Sequence, residues 1–258
     1  MTLHLRSGET AAVINPDNGA ALEELWFGSH QLMARSGFLM APWAGRIGGA
    51  ALDFAGHRLR LPADEEGNAK HGLVRGRAWE FTSPPRPDRV SLHCDIDGAW
   101  PGRADIEYAV HDDHLAMTLS WDSSCDVPCI LGIHPWFRKT LNDGSELTLD
   151  TRMTRMVERH GHLPTGRFTE PSRPPWDDCF ELSADPVLRW GEGLQVRLSS
   201  TSPWWVVFTE PADATCVEPQ TAPVDAYHHR ELQPETWPRQ LRFNVHRLDA
   251  QLTQPDAV

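Results

Sequence analysis

Hydrophobic and polar residues alternate with a period of two along much of the chain. The clearest run is ADIEYAVHDDHLAMTLSWDS at 104–123, in which the polar pair Asp112-Asp113 marks the turn of a hairpin. Such alternation is typical of a β-strand that packs against a core on one face and meets solvent on the other. Further strand-like runs lie at 10–16, 50–61, 89–97, 145–151, 194–200, 204–210 and 240–248.

No long segment repeats its hydrophobic residues at a helical period. The stretch 21–27 is short enough to form either a strand or a helical turn, and 50–61 predicts two strands around a tight turn at Ala55-Gly56. Many short strands between turn signals indicate an all-β protein. We therefore expect one domain over residues 1–258, a large antiparallel β-sandwich with loops at 62–72, 82–88, 157–179 and 217–238.

The charge balance argues against polyanionic partners. The 258 residues carry a formal net charge of -12, and an acidic surface repels nucleic acid and anionic membranes. The sequence has no run near the roughly 20 apolar residues of a membrane span, and it opens without the long apolar run of a signal peptide. We expect a small-molecule ligand, no nucleic-acid or membrane partner, and a monomer or homodimer.

The cysteines and histidines indicate no metal site. Five cysteines, an odd number without a secretion signal, predict free thiols in the cytoplasm. Cys125 and Cys129 lie four residues apart, without a second pair at zinc-site spacing. The clusters RHGH (159–162) and YHH (227–229) lack a clear third ligand. We interpret both as surface or loop histidines.

Four polar residues stand where predicted strands meet loops: Arg46, His71, His134 and Glu218. Loops on a rigid β scaffold often carry binding residues. Each residue also has an ordinary structural explanation. Arg46 could pair with a carboxylate, His71 could cap its loop, His134 could be a satisfied buried histidine, and Glu218 could be a carboxylate on a rim. Taken singly, none of them establishes a function.

A histidine and a glutamate together can catalyse proton transfer. Burial raises the pKa of a glutamate, a nearby arginine lowers it again, and a histidine titrates near neutrality. Such a pair can supply one proton acceptor and one donor to a small ligand. This chemistry suits proton exchange between two oxygens and needs neither a metal ion nor a covalent nucleophile.

Six motifs in order make the chain resemble the aldose 1-epimerase (galactose mutarotase) family. A strand, a Pro-containing turn and a second strand come first, followed by a Gly-rich turn with Arg46 and by an Asn…His-Gly loop with His71. A Gly-x-His motif, an Asp-x-x-Phe step and a Glu-Pro-x-Thr loop complete the set. The segments are 11–27, 42–56, 68–80, 132–137, 176–180 and 217–226.

This resemblance implies a galactose mutarotase-like supersandwich with an open cleft on one sheet face. It also implies cofactor-free interconversion of the α and β anomers of a free sugar. By motif, Glu218 corresponds to the general base at the O1 hydroxyl and His134 to the general acid at the ring oxygen, assisted by His71. Arg46 and Asp177 correspond to groups that bind sugar hydroxyls, and the Asp-x-x-Phe spacing favours Asp177 over Asp178.

Several positions depart from the family pattern. Gly45 stands where an asparagine is usual, and Trp136 replaces a commoner tyrosine. We expect Pro135 to turn the chain, and Trp136 and Phe137 to pack around that turn without touching sugar. Arg138 and Lys139 follow the motif as unusual charges, and we expect them to bear on substrate preference.

Three other functions remain open at this stage. A hexose 6-phosphate epimerase would need a basic cluster, for which the candidates are Arg46, Arg75, Arg77, Arg138 and Lys139. A glycosidase would use Glu218 and Asp177 as its carboxylate pair. A non-catalytic sugar-binding module could share the same fold, because fold alone does not fix function.

Overall fold

The computed structural model describes residues 1–54, 56–123, 127–234 and 240–252, with only the backbone described for residue 57 and for 240–252. The first strands are β1 (Leu3–Ser7), β2 (Thr10–Asn15), β3 (Ala21–Phe27), β4 (His30–Gln31), β5 (Met33–Met40), β6 (Arg46–Ile47), β7 (Ala51–Phe54), β8 (His57–Arg60), β9 (Ala69–Lys70), β10 (Glu80–Phe81), β11 (Arg89–Ile96) and β12 (Gly102–His111).

The later strands are β13 (His114–Ser123), β14 (Gly132–Arg138), β15 (Leu147–Asp150), β16 (Met153–His160), β17 (Leu163–Thr169), β18 (Asp177–Leu182), β19 (Val187–Trp190), β20 (Leu194–Ser200), β21 (Trp204–Phe208), β22 (Ala214–Gln220) and β23 (Gln240–Leu252). Three short 3₁₀ helices, Gly48–Ala50, Ala226–His228 and Arg230–Leu232, are the helices of the described residues. None of these helices could cross a membrane.

Two large antiparallel sheets form most of the described structure, and the short strand pairs β6-β9 and β7-β8 form two small sheets. One has eleven strands in the order β1-β2-β3-β5-β14-β22-β21-β18-β16-β17, with β4 paired to β3, and the other has eight in the order β10-β11-β12-β13-β23-β20-β19-β15. Alternate residues of both sheets bury a common apolar core between them, which includes Leu39, Ile133, Val217, Leu119 and Val196. The all-β sandwich predicted from the alternation is therefore confirmed.

The hairpin predicted at 104–123 forms as expected. His111 pairs with His114, so Asp112 and Asp113 make a two-residue turn between β12 and β13. The segment 21–27 is strand β3. In the predicted hairpin at 50–61, Phe54 pairs with His57, while Ala55 lies outside the described residues.

Two predicted loops are wrong in part. Most of 157–179 belongs to strands β16, β17 and β18, and 217–238 begins inside β22. Strand β22 is buried along its whole length, so it lacks the alternation that marks a half-exposed strand. Pro219 inside it also favours a loop in any sequence-based interpretation.

Strand β23 lies in the middle of the eight-stranded sheet. It pairs with β13 on one side and with β20 on the other. It therefore joins two halves of that sheet which come from separate parts of the chain.

Candidate active site

His134 and Glu218 face each other across two neighbouring strands. Gly132 pairs with Gln220 and Phe137 with Thr215, so paired residue numbers in β14 and β22 sum to 352 (132 + 220 and 137 + 215). The same sum, 134 + 218, sets His134 opposite Glu218 on one face of the sheet, where cross-strand side chains are near neighbours. The His134 Nε2 and Glu218 Oε1 atoms are 3.1 Å apart.

Each of these two residues is followed by a proline within its strand. Pro135 and Pro219 lack the backbone N–H that a sheet ladder needs, and the described β14–β22 pairs stop between Gly132 and Phe137. The pairing of β14 with β5 is also irregular on both sides of Trp136. The expectation that Pro135 turns the chain is wrong, because β14 continues through it to Arg138. The prolines instead interrupt the ladder beside the catalytic candidates.

Three rows of side chains cross the eleven-stranded sheet here. The central row contains Phe38, His134, Glu218, Val206 and Cys179. The tryptophan row beside it contains Arg35, Trp136, Cys216, Phe208 and Asp177. The amide row on the other side contains Met40, Gly132, Gln220, Trp204 and Glu181. Successive rows are about 6.6 Å apart, which is two residues along a strand.

A cavity of about 660 Å³ opens above these rows. Its lining includes the predicted site residues Arg46, His71, His134, Asp177 and Glu218. This volume is within the usual range for a small-molecule site. The structure therefore brings all five predicted residues to one cavity on one sheet face.

Burial determines the charges of the central pair. It raises the pKa of Glu218 well above its ordinary value, and the charge of Asp177 raises it further. Burial also lowers the pKa of His134 to about 3, with a smaller contribution from Arg75. Because both shifts oppose charge, burial favours the arrangement in which the pair shares one proton, with the Glu218 carboxyl protonated and the His134 imidazole neutral.

Aromatic rings fix the orientation of His134. Its ring centroid is 4.4 Å from that of Phe38 and 4.8 Å from that of Trp136. His71 meets it edge-on at 5.4 Å. Trp136 also lines the cavity, so it lies where a ligand could contact it. Phe137 is buried in the core between the sheets, as alternation along β14 requires.

His71 is held by a tight loop. Its backbone has φ 59, and Gly72 follows with φ 79. A Cβ on Gly72 would lie 2.2 Å from the Ala41 carbonyl oxygen, so only glycine fits there. The His71 Nδ1 contacts the Met40 sulfur at 3.1 Å. Burial, followed by the charge that His134 carries when it is protonated, holds the pKa of His71 well below its usual range.

Arg46 lines the cavity from strand β6, and its guanidinium lies near an acidic residue. Its Nε lies 3.9 Å from Glu66 Oε2, and His162 Nε2 lies 3.3 Å from the other oxygen of that carboxylate. The preceding Gly45 has φ 66, and a Cβ there would stand 2.7 Å from Val224 Cγ2. Val224 therefore occupies the space that any larger side chain at position 45 would need.

Asp177 and Asp178 have different partners. The Asp178 carboxylate accepts a hydrogen bond from Arg159 Nε at 2.5 Å and another from the Asp177 backbone N–H. The Asp177 carboxylate has only the more distant His162 Nδ1 at 3.9 Å as an ion-pair contact among the described residues. Of the two, Asp177 thus keeps more capacity to accept hydrogen bonds from a ligand.

The basic residues expected to bear on substrate preference lie elsewhere. Arg138 Nε donates to Gln31 Oε1, and Lys139 Nζ donates to the Thr209 carbonyl. Neither these two nor Arg77 line the cavity. Of the predicted basic cluster only Arg46 and Arg75 do, so that part of the prediction is wrong.

Sequence reasoning missed Lys70, Gln220 and Cys216 at this site. Lys70 and Gln220 line the cavity. The possible ligand atoms of Cys216, His134 and Glu218 lie within 4.8 Å of one another. Among the described residues, this is the group that could hold a metal ion. Cys216 and Gln220 are two residues before and after Glu218, a spacing that puts all three on one face of a strand.

Comparisons with known proteins find a matching family model and proteins of similar sequence or fold. Residues 1–236 match the family model described as aldose 1-epimerase. A maltose epimerase from Levilactobacillus brevis is 26% identical over 246 residues, covering 73% of this chain and 71% of that protein.

Solved structures share the fold at low identity. A galactose mutarotase-like protein from Clostridium acetobutylicum aligns with a TM-score of 0.86 at 14% identity, over 98% of this chain and 95% of that one. A galactose 1-epimerase from Lactobacillus acidophilus aligns with a TM-score of 0.80 at 14% identity, over 98% and 95%.

Proposed function

This chain belongs to the aldose 1-epimerase family, and from that premise we propose that His134 and Glu218 interconvert the α and β anomers of a free aldose. The Glu218 carboxylate takes the proton of the O1 hydroxyl while the His134 imidazolium protonates the ring oxygen. The bond from C1 to the ring oxygen breaks, and the open-chain aldehyde rotates about C1–C2. The ring then closes on either face with the two roles reversed, and no cofactor takes part.

The observation that carries this mechanism is the contact of 3.1 Å between His134 Nε2 and Glu218 Oε1. O1 and the ring oxygen are bonded to the same carbon, so a donor and an acceptor that adjoin one another can reach both at once. Because the pair keeps one proton, it can give and take a proton in each direction without exchange with solvent.

The resting state of the pair suits the ring-closing half of the cycle. Burial favours a protonated Glu218 beside a neutral His134. In ring closure Glu218 gives its proton to the carbonyl oxygen and His134 accepts one from the hydroxyl. Transfer of the shared proton to His134 creates the charged pair for ring opening, and Lys70 assists because it lowers the pKa of Glu218.

Three further residues complete the proposal. His71 assists His134, which its edge-on contact supports. Arg46 and Asp177 bind hydroxyl groups, and both line the cavity. We include the whole chain, 1–258, as one domain, since both sheets share one core. A cytoplasmic location is part of the same proposal, supported by the free and buried Cys94, Cys129, Cys179 and Cys216.

Saturation-transfer NMR on a panel of aldoses tests the function. We expect the enzyme to transfer saturation between the two anomeric proton signals of at least one free aldose far faster than buffer does. Binding of sugars by calorimetry without such exchange would instead indicate a sugar-binding module. Release of nitrophenol from aryl glycosides would indicate a glycosidase.

A phosphorylated aldose is the second candidate substrate. Lys70 and Arg75 line the cavity, and no carboxylate of the described residues forms an ion pair with either. The Arg75 guanidinium stacks over the Phe38 ring, with Cζ 4.2 Å from the ring centroid, and together with Lys70 it could hold a phosphate. The NMR panel therefore includes glucose and glucose 6-phosphate. A higher kcat/KM for the phosphate that falls to the glucose value in Lys70→Met with Arg75→Met would establish this alternative.

The pH profile should lack a histidine midpoint near neutrality. Because the pKa of His134 is lowered to about 3, the pair gains a second proton only in strong acid, while the raised pKa of Glu218 moves the loss of the single proton to higher pH. We expect kcat/KM, corrected for the spontaneous rate, to stay level from about pH 5 to about pH 7. A fall with a midpoint near about 6.5, the ordinary pKa of histidine, would contradict the assignment.

A further inference from the structure

Gln220 presents an amide group without a hydrogen-bond partner at the edge of the cavity. The residue is fully buried, and neither its Oε1 nor its Nε2 has a partner in the structure. Buried polar side chains almost always have partners, and one without them destabilises the protein. Because Gln220 also lines the cavity, the missing partner points to a ligand.

From this amide we infer that Gln220 forms a subsite for a sugar hydroxyl, separate from the groups at the anomeric carbon. The inference rests on the proposed function. A hydroxyl group both donates and accepts, so it can receive a hydrogen bond from Nε2 or give one to Oε1. Two neighbouring hydroxyls of one ring can engage both atoms of the amide at the same time.

The position of Gln220 suits a hydroxyl away from O1. It follows Glu218 by two residues on β22, so both side chains point to the same face of the sheet. The offset of about 6.6 Å along the strand places the amide row beside the central row. A ring whose anomeric carbon lies over Glu218 therefore extends either toward Gln220 or toward the tryptophan row.

The absence of a side chain at Gly132 leaves space for the Gln220 side chain. It is the partner of Gln220 on β14, and a Cβ on Gly132 would stand 3.2 Å from Gln220 Cγ, 2.8 Å from Met40 Cε and 2.9 Å from Ala44 Cβ. The Met40 and Ala44 side chains and the stem of Gln220 thus converge on the space above Gly132, and neither of the two apolar groups can satisfy the amide. The amide has no structural hydrogen bond to lose, so a role in holding the fold together does not account for it.

Replacing the amide should change stability and sugar binding in opposite directions. Gln220→Met keeps the length of the side chain and removes both unpartnered atoms. We expect the thermal midpoint of the sugar-free protein to rise, because a buried unsatisfied group is lost. We also expect the Kd and KM for the aldose to rise by roughly 10- to 100-fold, the loss of one or two buried hydrogen bonds, with kcat changed far less.

Singly deoxygenated sugars identify the hydroxyl. The panel is the 2-, 3-, 4- and 6-deoxy form of the accepted aldose, measured by the sugar-induced shift of the thermal midpoint and by anomer exchange. In the wild type, removing the hydroxyl that Gln220 binds should weaken binding. In Gln220→Met the same deoxy sugar should bind as well as its parent. Each of the other deoxy sugars should be weakened relative to the parent by the same factor as in the wild type.

Gln31→Met is the matched control. Gln31 lies outside the cavity and its Oε1 accepts from Arg138 Nε, so its loss should leave the midpoint unchanged or lower, with normal kinetics. The inference is overturned if Gln220→Met binds every sugar as the wild type does. It is equally overturned if the variant is less stable and weakens all deoxy sugars alike, which would indicate a structural role. The midpoint shift needs no turnover, so sugar binding without anomer exchange would contradict the proposed function and leave this test intact.

Discussion

Glu218→Gln should lose most of its catalytic activity while the fold is retained. The amide is nearly the same size as the carboxyl group but cannot take up a proton, so O1 loses its general base. General acid or base catalysis contributes about 10²- to 10⁴-fold, and we expect kcat measured by polarimetry to fall by a factor in that range. KM should change little, because the amide can still form hydrogen bonds.

The stability of this variant gives an independent check. The pKa of Glu218 is raised in the folded protein, so the folded state binds more protons than the unfolded chain above the ordinary carboxyl pKa. The contribution of this group to stability is therefore present at low pH and is lost as the pH rises through the raised pKa. Glu218→Gln has no such loss, and its thermal midpoint should exceed that of the wild type by more at pH 8 than at pH 4.

A glutamate outside the cavity provides the control. Glu181 lies on β18 and its carboxylate accepts from Arg155 Nε at 2.6 Å. We expect Glu181→Gln to keep its polarimetric rate. Wild-type turnover in Glu218→Gln would show that another group is the base.

His134→Asn should reduce the rate as severely, by about 10²- to 10⁴-fold, because the ring oxygen loses its proton donor. Here kcat falls and part of the packing between Phe38 and Trp136 is lost as well. We therefore expect a lower thermal midpoint than in Glu218→Gln. His134→Gln, which fills more of the space, separates the two effects: it should recover stability without recovering the rate.

The acid side of the stability curve reports on the same residue. With the pKa of His134 lowered to about 3, the unfolded chain binds more protons than the folded protein below the ordinary histidine pKa of about 6.5. The contribution of His134 to stability is thus present at neutral pH and is lost as the pH falls toward 3. His134→Asn should show a weaker decline of the midpoint with acid. His93→Asn, on the other sheet, should match the wild type in rate; equal activity in His134→Asn would contradict the acid assignment.

The sandwich could be predicted from the sequence because its half-buried strands alternate. Strand β12 and strand β13 show this plainly, and their two-residue turn could be located to the residue. The hairpin of β16 and β17 could not, since few of its residues are buried. The prediction missed strand β22 for the opposite reason, because this strand is buried on both faces and shows no alternation.

The residues of the candidate site could be proposed from sequence motifs, whereas their geometry could not. His134 and Glu218 carry recognisable motifs, but their contact depends on a register between strands 84 residues apart in the chain (218 − 134), which no local pattern specifies. The side chains of Arg138 and Lys139 donate hydrogen bonds to Gln31 and Thr209. These partners are distant in the chain, so no local pattern indicates them. Gln220 was missed because a strand position two residues from Glu218 becomes informative only once β22 is known to be a strand.

The central place of β23 in the eight-stranded sheet has a consequence for how the chain reaches its native state. Ser123, at the end of β13, precedes Gln240, at the start of β23, by 117 residues (240 − 123). Pairing at that separation forms slowly, because the entropy of closing a long loop must be overcome before the contacts form. Until β23 arrives, β13 and β20 each present an open edge to other chains. A polypeptide interrupted in synthesis before residue 240 would keep both edges open and so be prone to aggregate.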